Sequence, residues 1–152
     1  MLFGRELITR VVGGRDRAIH TILIVEDEPL VAFDNEHLLV HSGYDVAATV
    51  DSYDHAISAI DAGGIDLVIA DISLRGERNG VDIARYAHAL AIPVLFVTGA
   101  CPADAQALAI GCLAKPYSQR DLLLAIEVAD ALMRSTQPPR PPVGMSVFSQ
   151  VA

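Results

Sequence analysis

The stretch ILIVEDEPL, residues 22–30, places three acidic residues directly after four aliphatic ones. The apolar run of residues 22–25 is typical of a buried strand, and Glu26, Asp27 and Glu28 follow it. Carboxylates crowded at the end of a buried strand repel each other and are costly to remove from water. The stretch therefore predicts a strand that ends in a site whose negative charge has to be balanced.

The rest of the chain alternates in the same way between short apolar runs and helical segments. Pro29, Ser52 and Ser118 stand where helices would start, and glycines stand where the first two would end. The predicted strands are 21–26, 44–50, 65–71, 92–98 and 111–115, and the predicted helices are 29–43, 52–64, 80–90, 102–110 and 118–134. Five βα units of this kind predict a flavodoxin-like, doubly wound parallel sheet of five strands in the order 2-1-3-4-5, with helices on both faces.

The flanking segments differ in composition from this middle part. Residues 1–19 are mixed and partly charged, and we expect them to form a leader outside the main fold, which spans 20–134. Residues 135–152 contain four prolines, a density that a helix or a central strand does not tolerate. They predict an extended C-terminal tail.

The net charge of −8 is unevenly distributed and restricts the partners. Residues 1–20 carry +2, whereas residues 21–134 carry −11. An acidic middle part argues against direct contact with nucleic acid, because phosphates require a basic face. No apolar run reaches the roughly 18 residues of a membrane span, and no signal peptide is evident, so we expect a cytoplasmic protein without a membrane partner.

The two cysteines and a histidine pair are candidate reactive groups. The spacing of Cys101 and Cys112 matches neither a zinc knuckle nor a CxxC redox pair. We predict two small buried hydrophobic residues, with a regulatory thiol as the alternative. His37 and His41 lie one helical turn apart but lack a third ligand, which favours surface residues over a metal site.

Five residues with useful chemistry stand at the ends of the predicted strands. They are Glu26, Asp27, Asp71, Thr98 and Lys115. The carboxyl ends of parallel strands meet at one edge of the sheet, so these side chains should converge. Clustered carboxylates suit Mg²⁺, an aspartate can form an acyl phosphate, and a lysine ammonium attracts phosphoryl oxygens. The spacing therefore predicts a magnesium-dependent phosphoryl site centred on Asp71.

These motifs resemble the receiver domain of two-component response regulators. The similar segments are IVEDEP (24–29), LVIADISL (67–74), VLFVTGA (94–100) and AKPY (114–117), within roughly residues 20–133. The resemblance implies that Asp71 is the phospho-acceptor and that a histidine kinase or a histidine phosphotransfer protein is the phosphoryl donor. It also implies self-phosphorylation and autodephosphorylation with Mg²⁺ as the only enzyme-like chemistry.

The resemblance assigns roles to the remaining residues of the site. Glu26 and Asp27 form the acid pair that holds Mg²⁺, with Asp27 as the direct ligand. The backbone carbonyl of Ser73 is a further metal ligand. Thr98 is the switch hydroxyl. Lys115 senses the phosphoryl group, and the resemblance implies a cis peptide bond between it and the following proline.

The sequence departs from the usual pattern of the family around the fifth strand. Cys112 stands where receivers usually have an aromatic residue, and only 16 residues separate Thr98 from Lys115. With Gly99 after the threonine, these features resemble an atypical alphaproteobacterial subgroup that carries Phe-Ala-Thr-Gly in the fourth strand. They predict a brief fourth helix and an output based on ordering of the loop after Thr98.

Two functional hypotheses stay open. The first is a stand-alone response regulator that is phosphorylated on Asp71, acts by protein contact and contains no effector domain. The alternative is a pseudo-receiver that is not phosphorylated and serves as a protein-docking module. The apolar run LLLAIEVADALM (122–133) offers a face for a homodimer or another partner, unless the sheet covers it.

Overall fold

The predicted alternation of strands and helices is present in the computed structural model, which describes residues 16–148. The parallel strands are β1 (Thr21–Val25), β2 (Asp45–Val50), β3 (Leu67–Asp71), β4 (Val94–Thr98) and β5 (Gly111–Ala114). The helices are α1 (Pro29–His41), α2 (Tyr53–Asp61), α3 (Gly80–Ala89) and α4 (Gln119–Met133). The parallel strands lie in the predicted order β2-β1-β3-β4-β5, which confirms the fold class.

Both faces of the sheet are buried because successive side chains of a strand point to opposite sides. Leu23, Val25, Val68 and Ala70 belong to one apolar layer, whereas their neighbours Ile22, Ile24, Leu67 and Ile69 belong to the other. Every residue of β3 and of β4 is buried. This is why these strands read as continuous apolar runs rather than as alternating ones.

The helices begin at polar capping groups. The side chains of Ser52 and Ser118 accept hydrogen bonds from the backbone N–H groups of His55 and Asp121, as predicted. Asn79 caps α3 in a reciprocal capping box with Asp82. Within residues 16–148, no helix is both long enough and apolar enough to cross a bilayer.

Helix α4 places its apolar side chains on the sheet. Leu122, Ala125, Ile126 and Ala129 are fully buried and belong to the same layer as Ile22 and Leu113. The sheet therefore covers much of the face on which a homodimer was suggested. A homodimer of the chain stays an untested prediction.

The C-terminal segment departs from the prediction of a tail outside the fold. Residues Met145–Val147 form β6, which pairs antiparallel with β5 as a sixth strand. Phe148 follows it, is only 4% exposed, and donates its N–H to the Ile110 carbonyl at 3.1 Å. The prediction was wrong here because the open edge of β5 offers unpaired backbone groups, which a short strand can satisfy despite nearby prolines.

The N-terminal boundary also lies slightly earlier than predicted. Ile19, assigned to the leader from the sequence, is fully buried, and its N–H donates to the buried carboxylate of Asp130 at 2.9 Å. Ala18 N–H contacts the same carboxylate. Residues 1–15 of the expected leader lie outside the described part of the chain.

The loop between β4 and β5 contains one turn of 3₁₀-helix, Gln106–Leu108, instead of the predicted helix over 102–110. Twelve residues, 99–110, must retrace the length of β4, which is roughly 16 Å for five residues. As an α-helix, all twelve would cover about 18 Å and leave none for the two turns. A less regular path with a single 3₁₀ turn retraces the length of β4 and also leaves residues for the two turns.

The two cysteines are joined rather than separate. Cys101, exposed in this loop, forms a disulfide with Cys112, which is fully buried on β5. The prediction of two small buried hydrophobic residues was therefore wrong for the pair. The sequence offered no signal for it, because the approach of residues 11 positions apart depends on the path of the loop.

Candidate functional site

The register of the sheet aligns the carboxyl ends of the central strands. Val25 pairs with Ala70, Asp71 pairs with Val97, and the next residue of β4, Thr98, pairs with Ala114. The residues that follow these positions therefore emerge at one edge. The predicted convergence of five chemically useful residues rests on this register.

Three carboxylates meet at this edge. Oxygen atoms of Glu26, Asp27 and Asp71 all lie within 4.8 Å of one another. Glu26 and Asp71 are 3% and 6% exposed, whereas Asp27 is partly open to solvent. This set of hard oxygen donors, with one side open to water, fits Mg²⁺, which keeps part of its water shell. Glu28 lies outside the group, as predicted, although its N–H donates to Glu26 Oε2 at 3.1 Å.

Lys115 supplies the balancing charge that the opening stretch required. Its Nζ donates to Asp71 Oδ2 at 2.8 Å and to Glu26 Oε1 at 3.0 Å. Lys115 is the single lysine of the chain. Its ammonium therefore bridges the ends of β1 and β3 from the end of β5, and the two most buried carboxylates of this site share it.

The pKa values at this site reflect burial opposed by charge pairing. Burial raises the pKa of Glu26, while the hydrogen bonds from Lys115 and from the Glu28 N–H act in the opposite direction. Burial disfavours the charged form of Lys115, but its bonds to Asp71 and Glu26 outweigh that effect and raise its pKa. The lysine is thus held as a cation.

Thr98 is held at the same edge by backbone contacts. It is 4% exposed, and its hydroxyl accepts a hydrogen bond from Ala100 N–H at 3.4 Å. Its carbonyl accepts from Lys115 N–H at 2.7 Å, which ties the ends of β4 and β5 together. The peptide bond between Lys115 and Pro116 is cis, as the resemblance implied.

Asp71 is oriented by the segment that follows it. The Ser73 N–H donates to Asp71 Oδ1 at 3.1 Å. Gly80, the first residue of α3, packs so closely that a Cβ there would lie 2.2 Å from the Asp71 carbonyl oxygen. Gly80 was not predicted as a site residue, since its role depends on how α3 returns to β3. Its place after the capping residue Asn79 was the only available signal.

A second missed contact lies beside Lys115. Asn35 of α1, only 6% exposed, donates from its side chain to the Tyr117 hydroxyl at 2.9 Å. Burial raises the pKa of Tyr117, so the phenol stays neutral. This bond fixes α1 against the segment after the cis proline and so supports the position of Lys115.

Other exposed candidate residues contribute little to the site. Arg75 Nε lies 4.0 Å from Asp27 Oδ2, but the arginine side chain is 79% exposed, and a pair this open to water contributes little to stability. The rings of His37 and His41 are in contact, with centroids 4.1 Å apart and planes tilted by 36°. Within residues 16–148, neither histidine belongs to a group that could hold a metal ion.

Comparisons with known proteins agree with this geometry. The sequence pattern described as "Response regulator receiver domain" matches residues 22–127. The transcriptional regulatory protein PdtaR of Mycobacterium tuberculosis is 31% identical over 119 residues, which cover 74% of this chain. The chain spans 58% of the length of that relative.

Two solved structures have similar folds. The signal receiver domain of a modulated diguanylate cyclase from Desulfovibrio desulfuricans superposes with a TM-score of 0.65 at 32% identity, covering 73% of this chain and 93% of the other. The response regulator TrrA of Thermotoga maritima, in complex with Mg²⁺-BeF, has a TM-score of 0.65 at 23% identity, covering 71% and 96%. At 23% identity, the likeness to TrrA is evidence for the fold and not for a shared function.

Proposed function

The chain belongs to the response regulator receiver domain family, and we propose that Asp71 accepts a phosphoryl group from a histidine kinase or a histidine phosphotransfer protein. Receiver domains are non-enzymatic signalling modules that interact with such donors and bind Mg²⁺ in an acidic pocket. The proposed chemistry of the chain is therefore limited to Mg²⁺-dependent self-phosphorylation and autodephosphorylation. We place this function in the cytoplasm, with protein contact as the output.

The single observation that carries the proposal is the pairing of Lys115 with Asp71 and Glu26. A lysine whose pKa is raised by two buried carboxylates is a fixed cation beside a carboxylate nucleophile. When a phosphoryl group arrives on Asp71, the same ammonium is within reach of its oxygens. A third carboxylate, Asp27, lies beside this pair and completes a set of oxygen ligands that could hold a metal ion.

In the proposed transfer, an Asp71 carboxylate oxygen attacks the phosphorus of a phosphohistidine. The P–N bond breaks, its electron pair stays on the imidazole nitrogen, and an acyl phosphate forms. Glu26, Asp27, Asp71 and the Ser73 carbonyl would hold Mg²⁺, which would neutralise charge on the transferring group. The Thr98 hydroxyl donates a hydrogen bond to one phosphoryl oxygen, and the Lys115 ammonium forms an ion pair with another. Attack of water on the phosphorus later breaks the P–O bond to Asp71, which releases inorganic phosphate and returns the free carboxylate.

The surface beside the site suits contact with a donor protein. Leu30 and Phe33, on the first two turns of α1, are 77% and 67% exposed. Exposed large apolar side chains next to a polar site are typical of a protein-binding patch. We propose that this part of α1 contacts the donor when its phosphohistidine enters the site.

Acetyl phosphate with Mg²⁺ tests the assignment without knowledge of the cognate kinase. We expect intact-protein mass spectrometry to show the gain of one phosphoryl group, which is lost on treatment with hydroxylamine. The gain should not occur when EDTA is present from the start, because the transfer needs Mg²⁺. Asp71→Asn should show no gain. Asp51→Asn, which changes an exposed acid after β2, should behave like wild type.

Two outcomes would overturn the proposal. A phosphoryl gain in Asp71→Asn would move the acceptor elsewhere. No gain in wild type, either from acetyl phosphate or from a phosphorylated histidine phosphotransfer protein, would favour the non-phosphorylated docking module. The proposal concerns the receiver domain, since the chain spans only part of the length of PdtaR.

A further inference from the structure

We propose that Cys101 and Cys112 form a reversible redox site that controls the loop after Thr98, separately from phosphorylation of Asp71. They are the only cysteines of the chain, and their Cα atoms lie 6.0 Å apart, a separation typical of disulfide-bonded pairs. The coupling to phosphorylation rests on the proposed function. The redox chemistry itself does not require phosphorylation of Asp71.

The two thiols differ in accessibility in the way that a redox site requires. Cys101 is exposed in the loop, three residues after Thr98, whereas Cys112 is fully buried on β5. An exposed thiol can meet an oxidant or a reductant first. The buried thiol is protected from further oxidation and resolves the first product into a disulfide.

The rest of the loop is held weakly, so the disulfide is the main anchor of its first half. Its second half has a 3₁₀ turn, and the N–H of Ile110 donates to the Val94 carbonyl at 2.8 Å. The buried side chains of the loop, Ala105, Ala109 and Ile110, all follow its first half, in which no residue is buried. Few buried apolar contacts and one short turn favour local opening when the covalent link is absent.

The disulfide acts one residue away from the contact that holds Thr98. Ala100 N–H donates to the Thr98 hydroxyl, and Cys101 is the next residue. While Cys101 is tied to β5, Ala100 keeps its place and the hydroxyl stays engaged. Reduction releases Cys101, which lets Ala100 move and frees the Thr98 side chain to turn its hydroxyl toward a phosphoryl oxygen.

The redox steps balance with hydrogen peroxide as the oxidant. The Cys101 thiolate attacks a peroxide oxygen, the O–O bond breaks, and a sulfenic acid forms with release of water after protonation. The Cys112 sulfur then attacks the Cys101 sulfur, the S–O bond breaks, and a second water leaves as the disulfide forms. Two thiols lose two electrons and two protons, and hydrogen peroxide becomes two waters.

A cellular dithiol reverses the reaction. One of its thiolates attacks the disulfide to form a mixed disulfide, and its second thiolate displaces the remaining protein thiol. The dithiol leaves as a disulfide, and both cysteines regain their protons. In a cytoplasmic protein a disulfide of this kind is more often regulatory than structural. This is why the proposed location favours a switch.

The first test needs no phosphoryl donor. The full chain is treated with hydrogen peroxide or with dithiothreitol, and free thiols are then alkylated with iodoacetamide and counted by mass spectrometry. We expect no alkylated thiol after peroxide and two after dithiothreitol. Amide exchange across residues 99–105 should be about tenfold slower in the oxidised protein, because a disulfide restrains the loop that it closes.

Cys101→Ser is the matched control, because it keeps the buried Cys112 in place. Its exchange should resemble that of the reduced wild type under both conditions. Cys112→Ala provides a second variant without the link. Two alkylated thiols after peroxide, oxidation that stops at a sulfinic acid, or equal exchange in oxidised and reduced wild type would overturn the redox site.

The second test addresses the coupling. Phosphorylation by acetyl phosphate and Mg²⁺ should be several-fold slower in the oxidised wild type than in the reduced one, and Cys101→Ser should be insensitive to oxidation. Equal rates in the two wild-type forms would overturn the coupling. Failure of both forms to be phosphorylated would overturn the proposed function instead, while the thiol count and the exchange data would still decide the redox site.

Discussion

Lys115 Nζ lies 2.8 Å from Asp71 Oδ2, although 44 positions separate the two residues in the chain. The contact spans the ends of β3 and β5, which are not neighbours in the sheet because β4 lies between them. The lysine reaches across the carboxyl edge to the two most buried carboxylates of the site. This relationship ties the stability of the strand ends to the charge balance of the acidic cluster.

Replacing Lys115 with methionine should lower the free energy of unfolding by about 2 kcal/mol at pH 7 without Mg²⁺. The change leaves Glu26 and Asp71 as neighbouring buried carboxylates without their cation. Saturating Mg²⁺ should restore most of the loss, because a divalent ion can replace the ammonium. Urea unfolding with and without Mg²⁺ measures both effects.

Arg120→Met is the control for this variant, because Arg120 is an exposed cation at the start of α4. It should change stability by less than about 0.5 kcal/mol. The explanation fails if Lys115→Met loses the same amount of stability at saturating Mg²⁺ as without it.

Gly80→Ala should destabilise the protein by about 2–3 kcal/mol, because the new Cβ would overlap the backbone of Asp71 and Ile72. Helix α3 must move away from the end of β3 to accept it. Gly99→Ala is the comparison: a Cβ at Gly99 meets no atom within 4 Å, so its effect should stay within about 0.5 kcal/mol. Thermal unfolding of the two variants is the measurement, and equal losses would contradict the packing argument.

Phe148→Ala should cost about 3 kcal/mol, because the ring is buried in the same layer as Phe96 and Cys112. Val143 lies in the same segment but is fully exposed, so Val143→Ala should be nearly neutral. Urea unfolding compares the two. In the Phe148 variant, faster amide exchange in β5 would show that β6 no longer covers its edge, whereas unchanged stability would mean that the segment does not add to the fold.

Stability should fall as the pH rises above the ordinary tyrosine pKa of 10.0. Burial raises the pKa of Tyr44 and of Tyr117, and a hydrogen bond to Asp61 raises that of Tyr86. Above pH 10.0 the unfolded chain releases these phenolic protons while the folded chain retains them. Since the unfolded state then binds fewer protons, the slope of stability with pH is negative.

Absorbance at 295 nm follows tyrosinate formation directly. Urea unfolding at several pH values between the tyrosine titration of the unfolded chain and that of the folded chain gives the slope of stability with pH. Tyr117→Phe removes one of the shifted groups and should make the slope less negative, besides removing the bond to Asn35. A folded protein in which all four tyrosines ionise together with those of the denatured chain would contradict the prediction.

Sequence reasoning located the strand ends well because both signals are local. A buried parallel strand is a short apolar run, and a polar residue at its last position or directly after it marks its end. Glu26, Asp27, Asp71, Thr98 and Lys115 were all found in this way, and the structure brings their strand ends to one edge. Their individual roles in phosphoryl transfer stay part of the proposal.

Features that join distant segments were missed for a common reason. The antiparallel β6, the link between Cys101 and Cys112, and the bond from Asn35 to Tyr117 each depend on where the chain returns in space. Gly80 is similar, because its lack of a side chain matters only where α3 meets Asp71. None of these contacts has a periodic signal along the sequence.

The sequence by itself determined the order of the elements, the parallel sheet and the set of acidic and basic groups at one edge, because hydrophobic periodicity and capping chemistry act over a few residues. Only the tertiary structure decided how the charges pair, how the loop after Thr98 is anchored and what covers β5. These outcomes depend on long-range packing. An open strand edge, a buried charge or a thiol finds its partner in whichever segment the assembled sheet brings within reach.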